Sequence, residues 1–302
     1  MPKPYPKSLI PADDAARLRT LHLYQIVNTT PEKVFDNFVA WVAQLFNVPI
    51  GLISLVDEEQ TYHKALVGAG DVPSLPRLES MCSAAILQDD KVVISDYKPE
   101  SCELIKPDVA QAFGLQFYAG AALQMPDGAR IGMLVVIGRE PRGFSPAETA
   151  VLSQLASLVS QTIDLRVRYL LADELTAWEE AQQELTDNLD ENSALARYLT
   201  SRNQRIDLDD DDTLQVIQCR LKSVADVLKR RLAETARFAP LELSKPALRP
   251  PGGSPCICGH CRRGRASCGR AGAARRRASA CPAAALTWPA GRPAGVAAEK
   301  PA

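Results

Sequence analysis

The chain has 302 residues and a formal net charge of −1, with 46% hydrophobic and 24% charged residues. So even a balance supplies no global field to recruit nucleic acid or an anionic membrane, and no apolar run reaches the length of a membrane span. Residues 1–14 hold Pro and Lys but no apolar core of a signal peptide, so the cytoplasm is the expected location.

Residues 15–27 are predicted as a helix. Thr30-Pro31-Glu32 then reads as an N-cap followed by Pro at the first helical position. Val34, Phe35, Phe38, Trp41, Val42, Leu45 and Phe46 recur at helical spacing and form one wide apolar face. Asn47 and Pro49 end that helix. Residues 50–56 read as a strand, Asp57-Glu58-Glu59 as a polar turn, and 62–67 as a second strand. A short helix over 77–88, a third strand over 92–95 and a loop over 98–116 follow. Two strand-like runs, 117–123 and 131–137, flank Pro126-Asp127-Gly128, a strong hairpin signal. The small residues Ala119 to Ala122 either let a helix pack close or leave room for a ligand. Ser145-Pro146-Ala147-Glu148 is a capping box with Pro at the first helical position. Val151, Leu152, Leu155, Leu158, Val159, Thr162 and Ile163 continue its apolar face. Helices around mixed hairpins predict an α+β sandwich.

Residues 166–237 are charged, helical and poor in Gly and Pro. Leu171, Leu175, Trp178, Gln182, Leu185, Leu189, Asn192, Ala196 and Leu199 alternate by four and three, a heptad seam with polar interruptions at Gln182 and Asn192. The expectation is a parallel homodimer stalk. The alternative is a helix folded back on its own chain, against 213–234. Asp207 and Asp209 to Asp212 precede the second helix, where acidic residues favour the positive N-terminus. They lack the Gly and Glu of a calcium loop. Leu214, Ile217, Leu221, Val224, Leu228 and Leu232 share one face of that helix. From 238 to 302, Pro, Gly, Ala and Arg take over and apolar periodicity disappears, which predicts a disordered tail. Its Cys256-x-Cys258-x-x-Cys261 run with His260 lacks a well-spaced second pair, so no zinc site is predicted. Its arginines have no aromatic interleaving to support base stacking.

The hairpin Phe117-Tyr118-Ala119-Gly120-Ala121-Ala122-Leu123 with Pro126-Asp127-Gly128 and Ile131-Gly132-Met133-Leu134 resembles the last hairpin of bacterial GAF domains. Ile50 to Glu59 resembles the family's first strand and acidic turn. Ser80-Met81-Cys82-Ser83-Ala84-Ala85-Ile86-Leu87 resembles the helix that lines the family's pocket, and Val92-Val93-Ile94-Ser95-Asp96 the strand after it. Order and spacing match over residues 12–165. Ala84 stands where many relatives carry His, Ala122 replaces the usual Pro, and the signature of cyclic-nucleotide-binding members is absent. The resemblance implies a central antiparallel sheet with helices on both sides, and a sensory or regulatory role. It divides the chain into a GAF domain over 12–165, a signalling helical segment over 166–237 and the tail over 238–302.

The family's pocket position, together with the small hairpin residues, makes Ser54, Cys82, Tyr118 and Ala121 the expected ligand-binding residues. No cofactor is named by the sequence. Cys82 reads first as a small buried residue, because no cationic neighbour in sequence would lower its pKa. A redox pair with Cys102, of the free methionine-sulfoxide reductase type, is the enzyme alternative. His63 and His22 are single histidines, read as solvated rather than as ligands. No Ser/His/Asp set or phosphate loop stands out, so no catalytic residue and no metal site are assigned. The expected function is a cytoplasmic sensor that binds a small molecule or a partner and relays its state through C-terminal helices; no output domain is legible, so either the output is a separate protein or this chain has lost it. The remaining alternative is a ligand-free scaffold for dimerisation.

Overall fold

The Pro-Asp-Gly turn forms as its chemistry dictates. In the computed structural model, which describes residues 10–70, 72, 74–87, 91–97, 114–203 and 205–238, Gly128 has φ +87°. Its N–H donates to Met125 O at 2.8 Å, and Asp127 Oδ1 accepts the Ala129 N–H at 3.0 Å. The side chain thus closes the turn that Gly permits. The turn joins β5 (Phe117–Gln124) to β6 (Arg130–Gly138). With β1 (Ile50–Val56), β2 (Gln60–Val67), β3 (Leu75–Pro76) and β4 (Lys91–Ile94) they form a six-stranded sheet in the order β3-β2-β1-β6-β5-β4. Every neighbouring pair is antiparallel.

Six helices accompany the sheet among the described residues: α1 (Asp14–Leu23), α2 (Lys33–Leu45), α3 (Met81–Ala85), α4 (Pro146–Leu171), α5 (Leu175–Asn203) and α6 (Asp211–Glu234). Alternation along the strands feeds two cores. One joins Ile53, Leu55, Phe117, Ala119, Leu134 and Val136 to α2 and α4. The other gathers Leu52, Tyr118, Met133 and Val135 with Cys82 and Ala85 of α3. This is the antiparallel sheet with helices on both sides that the resemblance implies.

Helix α4 starts as predicted. Ser145 Oγ accepts the Glu148 N–H at 3.1 Å, and Glu148 returns the contact by accepting the Ser145 N–H at 2.8 Å. Asp210 likewise caps α6, its carboxylate accepting the Thr213 N–H at 2.9 Å. The start of α2 differs from expectation. Glu32, not Thr30, is its N-cap residue, and no side chain caps it. Long-range pairing accounts for the shift. The Thr30 carbonyl and Thr29 hydroxyl each accept from Lys64 Nζ at 2.8 Å, and the Glu32 carboxylate accepts from Arg166 Nε at 2.7 Å. Residues 15–27 also contain less helix than predicted: α1 ends at Leu23, and Gln25 takes a left-handed φ of 46°.

The heptad seam does not face outward. Trp178, Leu185, Leu189 and Ala196 are buried within the same chain, Leu185 and Leu189 completely. Helix α5 lies on α2, where Asn37 Nδ2 donates to Asp190 Oδ1 at 2.8 Å, and against α6, where Asn188 Nδ2 donates to Ser223 Oγ at 2.7 Å. The parallel dimer stalk through these leucines is therefore corrected: the side chains meant for a second chain are already covered. The cause sits in α2. Its buried set includes Val39 and Ala43 as well as Phe35, Phe38, Trp41 and Val42, so it needs cover on two sides. The sheet takes one side, and Gly51 lets α2 lie close, since a Cβ there would come within 2.7 Å of Val39 O. Helix α5 takes the other. Ile217, Leu221, Val224 and Leu228 of α6 are buried in the same core. Leu171 and Leu175, at the corner between α4 and α5, are the seam positions left exposed. The expected boundary between 165 and 166 falls inside α4. The tail from 239, the loop over 98–113 and Cys102 lie outside the described residues.

Candidate ligand-binding face of the sheet

Strand parity decides which expected site residues meet. Ser54 shares the parity of Leu52 and Val56 on β1, and Tyr118 faces the same way from β5, so both look toward α3. Helix α3 brings in Cys82. Ser54, Cys82 and Tyr118 thus come together. Ala121 does not, because it lies three residues from Tyr118 and belongs to the core under α4. It lines a separate open groove with Lys91, Ala150 and Ser153.

Tyr118 OH donates to Cys82 Sγ at 3.8 Å, within a buried pair. Burial pushes the Cys82 thiol upward, although the Ser54, Tyr118 and Ser80 hydroxyls pull the other way. Burial, then the neighbouring sulfur, raises Tyr118 well above an ordinary phenol. Neither group is prepared to ionise, which opposes a nucleophilic thiolate. Beside them Thr61 and Ser83 share a hydrogen bond of 3.3 Å. The space at Gly120 is taken by its neighbours: a Cβ there would meet Tyr118 Oη at 2.9 Å and the Met133 methyl at 3.1 Å. The small hairpin residues therefore serve packing on both faces.

Two unpaired groups complete this face. Ser54 is fully buried; its Oγ lies close enough to the Cys82 thiol to lower that group's pKa but makes no well-formed hydrogen bond. His63 pairs directly with Ser54 across β1 and β2. Both of its ring nitrogens are buried without a partner, and burial lowers its pKa from 6.5. The reading of His63 as a solvated strand residue is thereby corrected. A β-bulge explains the miss. The register jumps from Ile53↔Ala65 to Ser54↔His63, leaving Lys64 as the extra residue. Lys64 turns to the helical side, and His63 to the side of α3. Nothing local in Thr61-Tyr62-His63-Lys64-Ala65 announces that jump.

Among the described residues no three His, Cys, Asp or Glu side chains gather as a metal site, and no helix is long and apolar enough to cross a membrane. The thiols described are Cys82, buried, and Cys219, exposed.

Comparison with known proteins gives relatives for about half of the chain. Over 154 residues the chain is 31% identical to a cyclic di-GMP phosphodiesterase of Pseudomonas aeruginosa, a match covering 51% of this chain and 26% of that protein. The chain thus spans about a quarter of that relative's length. Among solved structures, the GAF domain of an Acinetobacter phosphoenolpyruvate-protein phosphotransferase is 23% identical, covering 49% of this chain and 92% of that one, with a TM-score of 0.37. Free methionine-R-sulfoxide reductase of Neisseria meningitidis is 18% identical, covering 51% and 93%, with a TM-score of 0.38. At these scores the structural likenesses say nothing of ligand or chemistry. Residues 30–163 match the GAF domain family, in agreement with the antiparallel sheet, the hairpin and the α3 helix that this stretch forms.

Proposed function

We propose that this chain is a sensory or regulatory protein that receives a small molecule between the sheet and α3, at Ser54, Cys82 and Tyr118. GAF domains are typically non-catalytic regulatory modules, which supports regulation over catalysis. The observation that carries the reading is the division of labour across one sheet. Its α3 side holds buried polar groups, and its other side is packed by α2, α4, α5 and α6. A ligand that shifts β1 or β5 would be felt by helices lying on the same strands. Those helices would pass the state to a separate output protein. Ala121 is left out of the proposed site because it faces the helices.

Native mass spectrometry with an absorption spectrum of freshly purified protein tests this. A mass increment or a visible band lost on Tyr118→Ala supports the reading. Bare mass, together with no stabilisation by any small molecule screened, overturns it. The packing of Tyr118 and Met133 around Gly120 favours a second reading, a ligand-free scaffold, which that outcome would select. The enzyme alternative is met by an assay for dithiol-dependent loss of free methionine sulfoxide. Turnover abolished by Cys82→Ser would replace regulation with catalysis.

A further inference from the structure

We infer that His63 and Ser54 form the polar end of a binding site for a small uncharged ligand bearing a hydrogen-bond donor and acceptor side by side, as a primary or ring amide does. The inference rests on the proposed ligand-receiving role of this face and names the chemistry it accepts.

Three polar atoms make no well-formed hydrogen bond here: Ser54 Oγ, whose neighbour is the Cys82 thiol, and both nitrogens of His63. Folded proteins pair the great majority of buried polar atoms, and an exception calls for a water, an ion or a ligand. One such atom is ordinary. Three on residues directly opposite each other across β1 and β2 define a place. The strands fix both side chains, so the groups are held ready.

Their chemistry sets the ligand's hydrogen-bonding edge. A neutral imidazole offers one N–H and one bare nitrogen, and a hydroxyl gives and accepts. An amide edge, with an N–H beside a C=O, satisfies such a set. A ligand with acceptors alone leaves the bare nitrogen unmet.

The surroundings set the ligand's charge. Burial favours the neutral forms of His63, Cys82 and Tyr118. The nearest cation in sequence, Lys64, is turned away by the bulge and held by Glu32, Thr29 and Thr30. Arg77 is spent on Asp14, with two contacts of 2.8 Å. Arg130, whose Nη1 donates to the Ile86 carbonyl at 3.1 Å beside α3, is likewise engaged, and a buried ion without a free counter-charge is strongly disfavoured.

Three probes of one shape test the inference on the full chain: benzamide, benzoate and benzamidinium, which are neutral, anionic and cationic. The readout is the pair of His63 ring-nitrogen resonances, assigned by their loss in His63→Gln, together with Kd from titration. Benzamide is expected to shift both nitrogens. Ser54→Ala should weaken it about tenfold, the loss of one hydrogen bond. The two charged probes should bind at least about tenfold more weakly. His63→Gln keeps a donor and an acceptor, and circular dichroism checks that it folds, so it should retain binding that His63→Ala loses. Equal binding of a charged probe, or a Kd unmoved by Ser54→Ala, overturns the inference and leaves the ligand-receiving role standing. His63 nitrogens that exchange with water and ignore all three probes overturn the inference. Combined with bare native mass, that result overturns the role as well.

Discussion

The two faces of the sheet solve opposite problems. On the helical face the buried charges find partners, although Gln182 Oε1, Thr186 Oγ1 and Asn192 Oδ1 of α5 are left without one. Lys64 and Arg166 converge on Glu32, with their side chains 1% and 8% exposed. Asp164 accepts from Arg168 at 2.8 Å and from Tyr24 at 3.3 Å. On the face toward α3, Ser54 Oγ and both ring nitrogens of His63 are buried without a well-formed hydrogen bond. The same strands thus present one surface whose buried charges are paired and another whose buried groups are neutral and in part unpaired. The difference teaches where stability and selectivity reside. The first face holds the fold together, and the second keeps hydrogen bonds in reserve.

The comparison breaks most sharply at α5. Leu185→Asp with Leu189→Asp places two charges where both side chains are fully buried. The expected loss exceeds about 4 kcal/mol, enough to undo cooperative melting followed by circular dichroism. A double variant that melts like the parent, or sedimentation showing a parent dimer turned into folded monomer, would mean that α5 leaves α2 to pair with another chain. Glu32→Gln comes next. It strands two buried cations, Lys64 and Arg166, and should cost about 3 kcal/mol in urea denaturation. An unchanged midpoint would show that water already screens the trio.

The α3 face responds more weakly, and to pH. Folding lowers the His63 pKa through burial, so the unfolded chain takes up its proton first. The contribution is complete above about 6.5, the ordinary value, and declines as pH falls through it toward the folded pKa. Melting temperature should therefore drop over that window, and by less in His63→Gln. Identical profiles would place the imidazole in solvent. Smallest is Tyr118→Phe, which removes one hydrogen bond to sulfur and should cost about 1 kcal/mol or less. In the same native protein, alkylation followed by peptide mapping should label Cys219 and spare Cys82. Rapid labelling of Cys82 would contradict its raised pKa and its burial.

Local chemistry was legible in the sequence, and distant pairing was not. The β5–β6 hairpin and the caps of α4 and α6 are written in contiguous residues, so the residues alone place them. The cap of α2 was misplaced because Lys64 and Arg166, far along the chain, decide what Thr30 and Glu32 do. The heptad pattern of α5 fits an inward or an outward seam equally well. What separates them is that α2 carries apolar residues on two sides, and those residues were in view. Three of the four expected site residues come together. Ala121 fails by parity alone, since 118 and 121 differ by an odd number. His63 was hidden by a bulge that exists only once β1 and β2 are paired.

That bulge has a consequence for change in this protein. Because Lys64 is the extra residue of β2, its neighbour His63 sits on one face while Lys64 reaches through to Thr29, Thr30 and Glu32 on the other. Deleting one residue here would restore a regular ladder and exchange the two. An ammonium group would then enter the neutral face, and an imidazole would stand where Glu32 and Arg166 need a third partner. Natural or engineered variants can alter the residues around this point. The length of the strand, however, is fixed to the single residue by both faces at once.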